Sequence, residues 1–234
     1  MRKKRTNIAL LGAFCIFMVS CCPGLKKIDL NAAHKYISAN DATVYLRISG
    51  LHEEGPIEGS GTGVAVAHSR NREQTLILTA GHICEELVNP KILISKLFVF
   101  EQNGEAYYSK MVAIDENYDL CLISVDAEIP IAKIAKNQPE AGDKITYSGY
   151  PTGLYMPGIL HHFDGYMAGV DPVGDHIYNL PVTGGSSGSP IYNRRGHIVA
   201  IVSAVMVEFE HITFAVGTEP IRNFLIDNKD WDKQ

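Results

Sequence analysis

Three separated segments hold the side chains that could do chemistry. Leu76 to Cys84 (LILTAGHIC) is an apolar run ending in a small-residue turn that presents His82. Asp115 to Ile123 (DENYDLCLI) places Asp119 at the mouth of an alternating run, with Asp115 as the second carboxylate in reach. Thr183 to Pro190 (TGGSSGSP) is a Gly/Ser loop that carries Ser187 and leads straight into Ile191-Tyr192. Alone, each has an ordinary explanation: a surface histidine, an aspartate in a turn, a flexible loop. Jointly they supply a complete set. A serine hydroxyl needs a base to take its proton, and that base needs a carboxylate to fix its tautomer and stabilise the imidazolium. His82, Asp119 and Ser187 are those parts. The glycines around the serine let the backbone N–H groups of Gly185 and Ser187 face a substrate carbonyl and stabilise an oxyanion. A phosphate cradle would carry a lysine and open a helix, and this loop does neither.

The elements that must position these groups read as short strands. Apolar or alternating runs fall at 43–48, 63–67, 75–79, 97–102, 120–125, 144–148, 198–207 and 212–216, punctuated by Gly, Pro, Asn and Asp. Many short strands with little helix between them predict an all-β barrel or sandwich. One helix is expected near the end, where Pro220 suits a first turn and Ile221, Phe224 and Leu225 share a face. A second, short helix is expected around Leu30 to Ser38. The string Gly184-Gly185-Ser186-Ser187-Gly188 also fits the nucleophile elbow of α/β-hydrolases with Ser186 as nucleophile, but that fold requires a helix here, and an acid and then a histidine downstream.

Composition narrows the function classes. The 234 residues are 46% hydrophobic and 20% charged, too apolar for a disordered chain. Lys and Arg number 21 against 26 Asp and Glu, and Arg2, Lys3, Lys4 and Arg5 account for four of the 21. A domain this acidic has no general grip on a phosphate backbone, so no nucleic acid is expected as a partner. No Cys-x-x-Cys or His-x-x-x-His spacing offers a metal site, so neither metal nor cofactor is expected. His161 and His162, if in a strand, point to opposite faces and suit exposure or local hydrogen bonding. Cys84 and Cys121 each lie two residues beyond a candidate catalytic residue. Two buried thiols are the favoured reading and a pair is the alternative.

The N-terminus is set aside from the fold. Residues 1–20 read as a charged n-region followed by an apolar run from Ile8 to Val19, too short to span a bilayer and of the right length for a secretory signal. Met18-Val19-Ser20-Cys21 resembles a bacterial lipobox, which implies lipidation of Cys21, membrane attachment and an exported protein; simple secretion is the alternative. Residues 21–41 are expected to form a tether and 42–234 the functional domain.

The strings TAGHIC, NYDLCLI and TGGSSGSPIYN resemble the His, Asp and Ser boxes of trypsin-like serine proteases, in that order. Tyr147 to Leu154 (YSGYPTGL) and Ile212 to Val216 (ITFAV) are similar to stretches of bacterial HtrA-type proteases, and TGGSSGSP to glutamyl endopeptidases. The resemblance spans about residues 42 to 228. It implies two six-stranded antiparallel barrels with a C-terminal helix and the site in the cleft between them. His82 would be general base, Asp119 its orienter, Ser187 the nucleophile, and Gly185 and Ser187 the oxyanion donors, acting on a protein or peptide substrate. No PDZ-like segment is expected after residue 228. Ser186 stands where trypsin has the aspartate that pairs with a new N-terminus, so activation by that ion pair is not expected. Val202 stands where glutamyl endopeptidases carry a pocket histidine. Pro181, Val182, Val202, Ser203 and Ala204 fall near the expected primary pocket and imply a small or medium apolar side chain. The rival reading is a surface lipoprotein that uses the same fold as a non-catalytic binding module.

Overall fold

The computed structural model of the protein describes residues 40–206 and 211–233. The segments read as a signal, a lipidation site and a short helix at 30–38 lie outside the described residues. Twelve strands form two closed antiparallel barrels. The first contains β1 (Thr43–His52), β2 (Gly55–His68), β3 (Thr75–Ala80), β4 (Ile92–Phe100), β5 (Ala106–Asp115) and β6 (Leu120–Val125), in the order β1-β2-β3-β6-β5-β4. The second contains β7 (Lys144–Gly149), β8 (His161–Val170), β9 (His176–Asn179), β10 (Pro190–Asn193), β11 (Ile198–Val205) and β12 (Ile212–Gly217), in the order β10-β11-β12-β9-β8-β7. The expected all-β architecture of two six-stranded barrels is what the chain adopts. Two barrels leave no doubly wound sheet, so the α/β-hydrolase alternative is excluded.

Burial explains the strand patterns. β3 and β6 are buried at every position because one face fills the first barrel while the other is covered, so β6, expected to alternate, is instead buried on both faces like the apolar run of β3. The apolar cluster of the first barrel extends to Tyr192, Ile198 and Ile201 of the second barrel and to Ile221, Phe224 and Trp231 at the C-terminus. This cluster therefore bridges the two barrels, while the second barrel keeps an apolar cluster of its own. The expected C-terminal helix is α2 (Thr218–Asp227), and Ile221 and Phe224 bury its apolar face. A short helix that the sequence reading presented as a turn, α1 (Gly81–Val88), follows β3 directly.

The reading of Cys84 and Cys121 as two free thiols is corrected. They form a disulfide, with Cα atoms 6.3 Å apart and both residues fully buried. The β3–β6 register sets Cys121 opposite Thr79, and α1, which starts directly after β3, carries Cys84 to it. The reading missed the pair because two cysteines carry no pattern until the register is known.

Candidate active site

β3 delivers His82 by ending at Ala80 and turning at once into α1. Gly81 suits this turn, because a Cβ there would crowd the Asp119 carboxylate and the Leu120 amide at 3.0 Å. Asp119 sits one residue before β6 with φ of 52°, a left-handed conformation that aspartate tolerates better than most side chains. Its carboxylate is encircled. Oδ1 accepts the His82 backbone N–H at 2.8 Å, both oxygens lie 3.1 Å from His82 Nδ1, and the Ser203 hydroxyl donates to Oδ2.

These contacts set the electrostatics. Asp119 holds its pKa below the usual aspartate value: burial pushes it up, but hydrogen bonds from the His82 ring, Ser203 and the His82 amide, with the imidazole charge, outweigh burial. His82 is raised above the ordinary histidine value, chiefly by its hydrogen bond to Asp119, against the opposing effect of burial. Nδ1 thereby carries the proton and Nε2 is left as the basic nitrogen. Asp115, the other carboxylate in reach, accepts instead the backbone N–H groups of Asn117 and Tyr118 and is a turn residue.

The serine loop reaches this pair from the second barrel. Thr183 to Ser186 form a turn closed by Ser186 N–H to Thr183 O at 2.9 Å, with Gly185 at φ +86°. This is the type II geometry, whose third position demands glycine. A Cβ on Gly185 would also lie 2.5 Å from Gly153 N and 2.6 Å from Tyr150 O. The Gly184 carbonyl accepts the Thr152 N–H at 2.5 Å and the Ser186 carbonyl accepts the Ser189 N–H at 2.9 Å. Because a trans peptide points its N–H opposite to its C=O, the N–H groups of Gly185 and Ser187 face away from those donors. Neither has an acceptor among the described residues.

Ser187 itself is docked on the first barrel, its carbonyl accepting the Thr62 N–H at 2.8 Å. Thr62, fully buried, also donates its hydroxyl to Gly185 O at 3.0 Å and accepts the Tyr150 N–H at 3.1 Å. Among the described residues the Ser187 hydroxyl makes no hydrogen bond to His82, a contact that in proteins of this chemistry often closes only when substrate is bound. Ser186, the alternative nucleophile, is buried, with its hydroxyl 3.4 Å from both Tyr147 Oη and Thr183 N.

The expected pocket residues separate. Val182 and Val202 are buried in the apolar cluster of the second barrel. Ser203 is turned to Asp119, a contact the sequence reading missed because nothing local marks it. Ala204 lines, with Tyr118, His176 and Phe214, a cavity of about 800 Å³ beside Asp119. His162 is exposed at the start of β8 with its Nδ1 2.8 Å from the Ser148 hydroxyl of the paired strand, as anticipated, whereas His161 is half-buried and its buried Nε2 has no partner among the described residues, unlike the expectation.

Residues 61–201 match the model of the trypsin-like peptidase domain. The chain belongs to that family. Curated relatives include serine protease HTRA1B of Danio rerio, 24% identical over 181 residues, 73% of this chain and 35% of the relative. Another is a serine protease HtrA-like protein of Staphylococcus aureus, 23% identical over 186 residues, 70% of this chain and 23% of the relative. The chain thus spans well under half the length of these relatives. Among solved structures, the serine endoprotease from Yersinia pestis superposes with a TM-score of 0.67 at 20% identity, over 87% of this chain and 67% of that one. The inactive form of Rv3671c from M. tuberculosis gives 0.64 at 14% identity, over 83% and 90%. At these identities the structural likeness shows the fold alone.

Proposed function

We propose that this member of the trypsin-like peptidase family is an exported serine endopeptidase that cuts peptide bonds through an acyl-enzyme. The observation that carries the reading is the His82–Asp119 pair, with Nδ1 held by the carboxylate, standing beside a serine loop whose two N–H groups are left free. In the proposed cycle His82 Nε2 takes the Ser187 proton as Oγ attacks the substrate carbonyl. The N–H groups of Gly185 and Ser187 stabilise the oxyanion, and the imidazolium, steadied by Asp119, then protonates the leaving amine. Water deacylates the enzyme by the same route, and no cofactor enters.

The sequence around Pro181, Val182, Val202 and Ala204 favours cleavage after small or medium apolar side chains, but Val182 and Val202 are buried in the core of the second barrel and the cavity that Ala204 lines also holds Asp175, His176 and Glu219. Export is supported by the Cys84–Cys121 disulfide, since such bonds persist in oxidising compartments. Together with the sequence of residues 1–21 it favours a lipid-anchored form with Cys21 as the modified residue.

The test is a fluorophosphonate probe read by intact mass on residues 22–234, beside a Ser187→Ala control. One adduct on the parent and none on the control is the expected result. No adduct on a protein with a cooperative thermal transition would transfer the weight to the non-catalytic binding module.

A further inference from the structure

The cations of this molecule are unevenly partnered. Residues 40–234 carry 14 Lys and Arg against 25 Asp and Glu, so any positive patch is built against the average charge. Arg47, Arg70, Arg72, Lys110, Lys144 and Lys233 each lie within ion-pair distance of a carboxylate. Lys133, Lys136, Arg194 and Arg195 have no carboxylate partner among the described residues, and all four are exposed. They ring one cavity of about 730 Å³ between the interbarrel linker and the β10–β11 turn. Asp143 also lines it, and Lys144 alongside is paired with Asp164 at 2.6 Å. Five cations against these two carboxylates leave the face positive.

Topology fixes where this face lies. β10 pairs with β7 and β11, and its register sets Asn193 opposite Ile145. At the other end of the same strands Gly149 abuts Ser189, two residues from Ser187. β11 likewise runs from Ile198, beside the turn that carries Arg194 and Arg195, to Ser203 at Asp119. The cationic cluster therefore occupies the opposite end of the strands that bear the candidate active site. An adjoining depression of about 630 Å³ is lined by Arg194, Lys144, His162 and Asn40. Asn40 is the first described residue, so the 39 residues before it, including the apolar run and Cys21, join the domain at the basic face.

We propose that this face, centred on Lys133, Lys136, Arg194 and Arg195, is a docking surface for an anionic lipid bilayer, which holds the catalytic cleft turned away from the membrane. Its orientation role rests on the lipid-anchored reading above; its affinity for lipid does not. Lys and Arg near a negative bilayer each gain a few-fold in binding, within about a Debye length of the surface. The acidic remainder of the domain is repelled by the same surface, which gives the attachment one preferred pose.

The test uses residues 22–234, which keep both closed barrels and carry no lipid. Cosedimentation is measured with phosphatidylcholine vesicles and with vesicles containing about one third phosphatidylglycerol. Expected is binding at least about tenfold tighter to the anionic vesicles at low salt. The preference should vanish at high salt and in the Lys133→Gln, Lys136→Gln, Arg194→Gln, Arg195→Gln variant. Should that variant lose its thermal transition, Arg194→Glu with Arg195→Glu replaces it and must abolish the preference alone. Equal binding to both vesicles, or an unchanged preference in the folded variants, overturns the proposal. Binding of polyglutamate or an oligonucleotide through these cations without vesicle binding overturns it too and assigns the face to a soluble polyanion. Vesicle binding without fluorophosphonate labelling counts against the protease reading alone, and vesicle binding with an unmodified Cys21 in the native protein counts against the anchor alone.

Discussion

His82 and Asp119 on the first barrel, and Ser187 on the second, are held by different means. The first pair stands on segments joined by the Cys84–Cys121 disulfide and by a six-residue strand register, so its geometry is fixed by covalent and ladder bonds. The serine loop is held by backbone hydrogen bonds to Thr152, Thr62 and Val202, by the Thr62 hydroxyl on Gly185 O, and by conformations that glycine or strain must accommodate. Thr152 is itself at φ 57°, costly for a β-branched residue by about 1–3 kcal/mol. On the proposed reading, the contrast teaches that the base rests on covalent and ladder bonds, while the two N–H groups offered to an oxyanion rest on non-covalent bonds and on a backbone conformation that glycine must supply. Each half can be loosened separately.

The largest expected effect lies on the covalent half. Replacing Cys84 and Cys121 together by alanine frees a loop of 37 residues and should lower unfolding stability by about 3–4 kcal/mol on the chain-entropy argument. Denaturant unfolding of the purified protein checks it, and a loss below about 1 kcal/mol would mean the register alone fixes the pair. In the material that stays folded, fluorophosphonate labelling should fall only a few-fold. On the loop half, Gly185→Ala should cut kcat about a hundredfold or more, because the methyl meets Tyr150 O and Gly153 N and φ +86° is unfavourable for alanine. KM for a short peptide should hold nearly constant. A matched rise in KM would instead place Gly185 in ground-state binding.

Next comes Thr62. Thr62→Val removes the hydroxyl that donates to Gly185 O without changing side-chain shape, and should lower kcat about tenfold while leaving KM in place. Thr62→Ser should restore it, since the hydroxyl returns without the methyl. Failure of serine to rescue would make Thr62 a packing residue only.

How much of this was legible varies with how local the signal is. β3 and β6 announce themselves because both faces are buried, and α2 because Ile221 and Phe224 recur at helical spacing. β5, β8 and β9 are not evident from the sequence: AYYSKMVAID, HHFDGYMAGV and HIYN mix buried or half-buried and exposed positions with charged residues or histidine, so neither a sustained period of two nor an apolar run stands out. At the site, His82, Asp119 and Ser187 were readable from strand-to-turn patterns. The disulfide, the Ser203 bond to Asp119 and the Thr62 support of the loop were not, because each joins residues far apart in sequence through a register that only the closed barrels define.

The smallest effect probes the first half without disturbing it. Glu85 lies exposed on α1, and its charge adds to the Asp119 contacts that raise the His82 pKa. A base must be neutral to act, so activity should rise with pH through a midpoint above 6.5, the ordinary histidine value. The same raised pKa contributes stability that is present below pH 6.5 and fades as pH climbs through the folded-state value. Glu85→Gln removes one negative neighbour, which moves the activity limb toward lower pH. The variant should therefore be more active than the parent below the midpoint, by less than about twofold, and equal to it at alkaline pH. Because the charge is exposed, the gap should close in about 0.5 M salt. A limb that stays put at low salt would leave Asp119 alone in setting the base, and a limb that moves upward would contradict the sign of the Glu85 contribution.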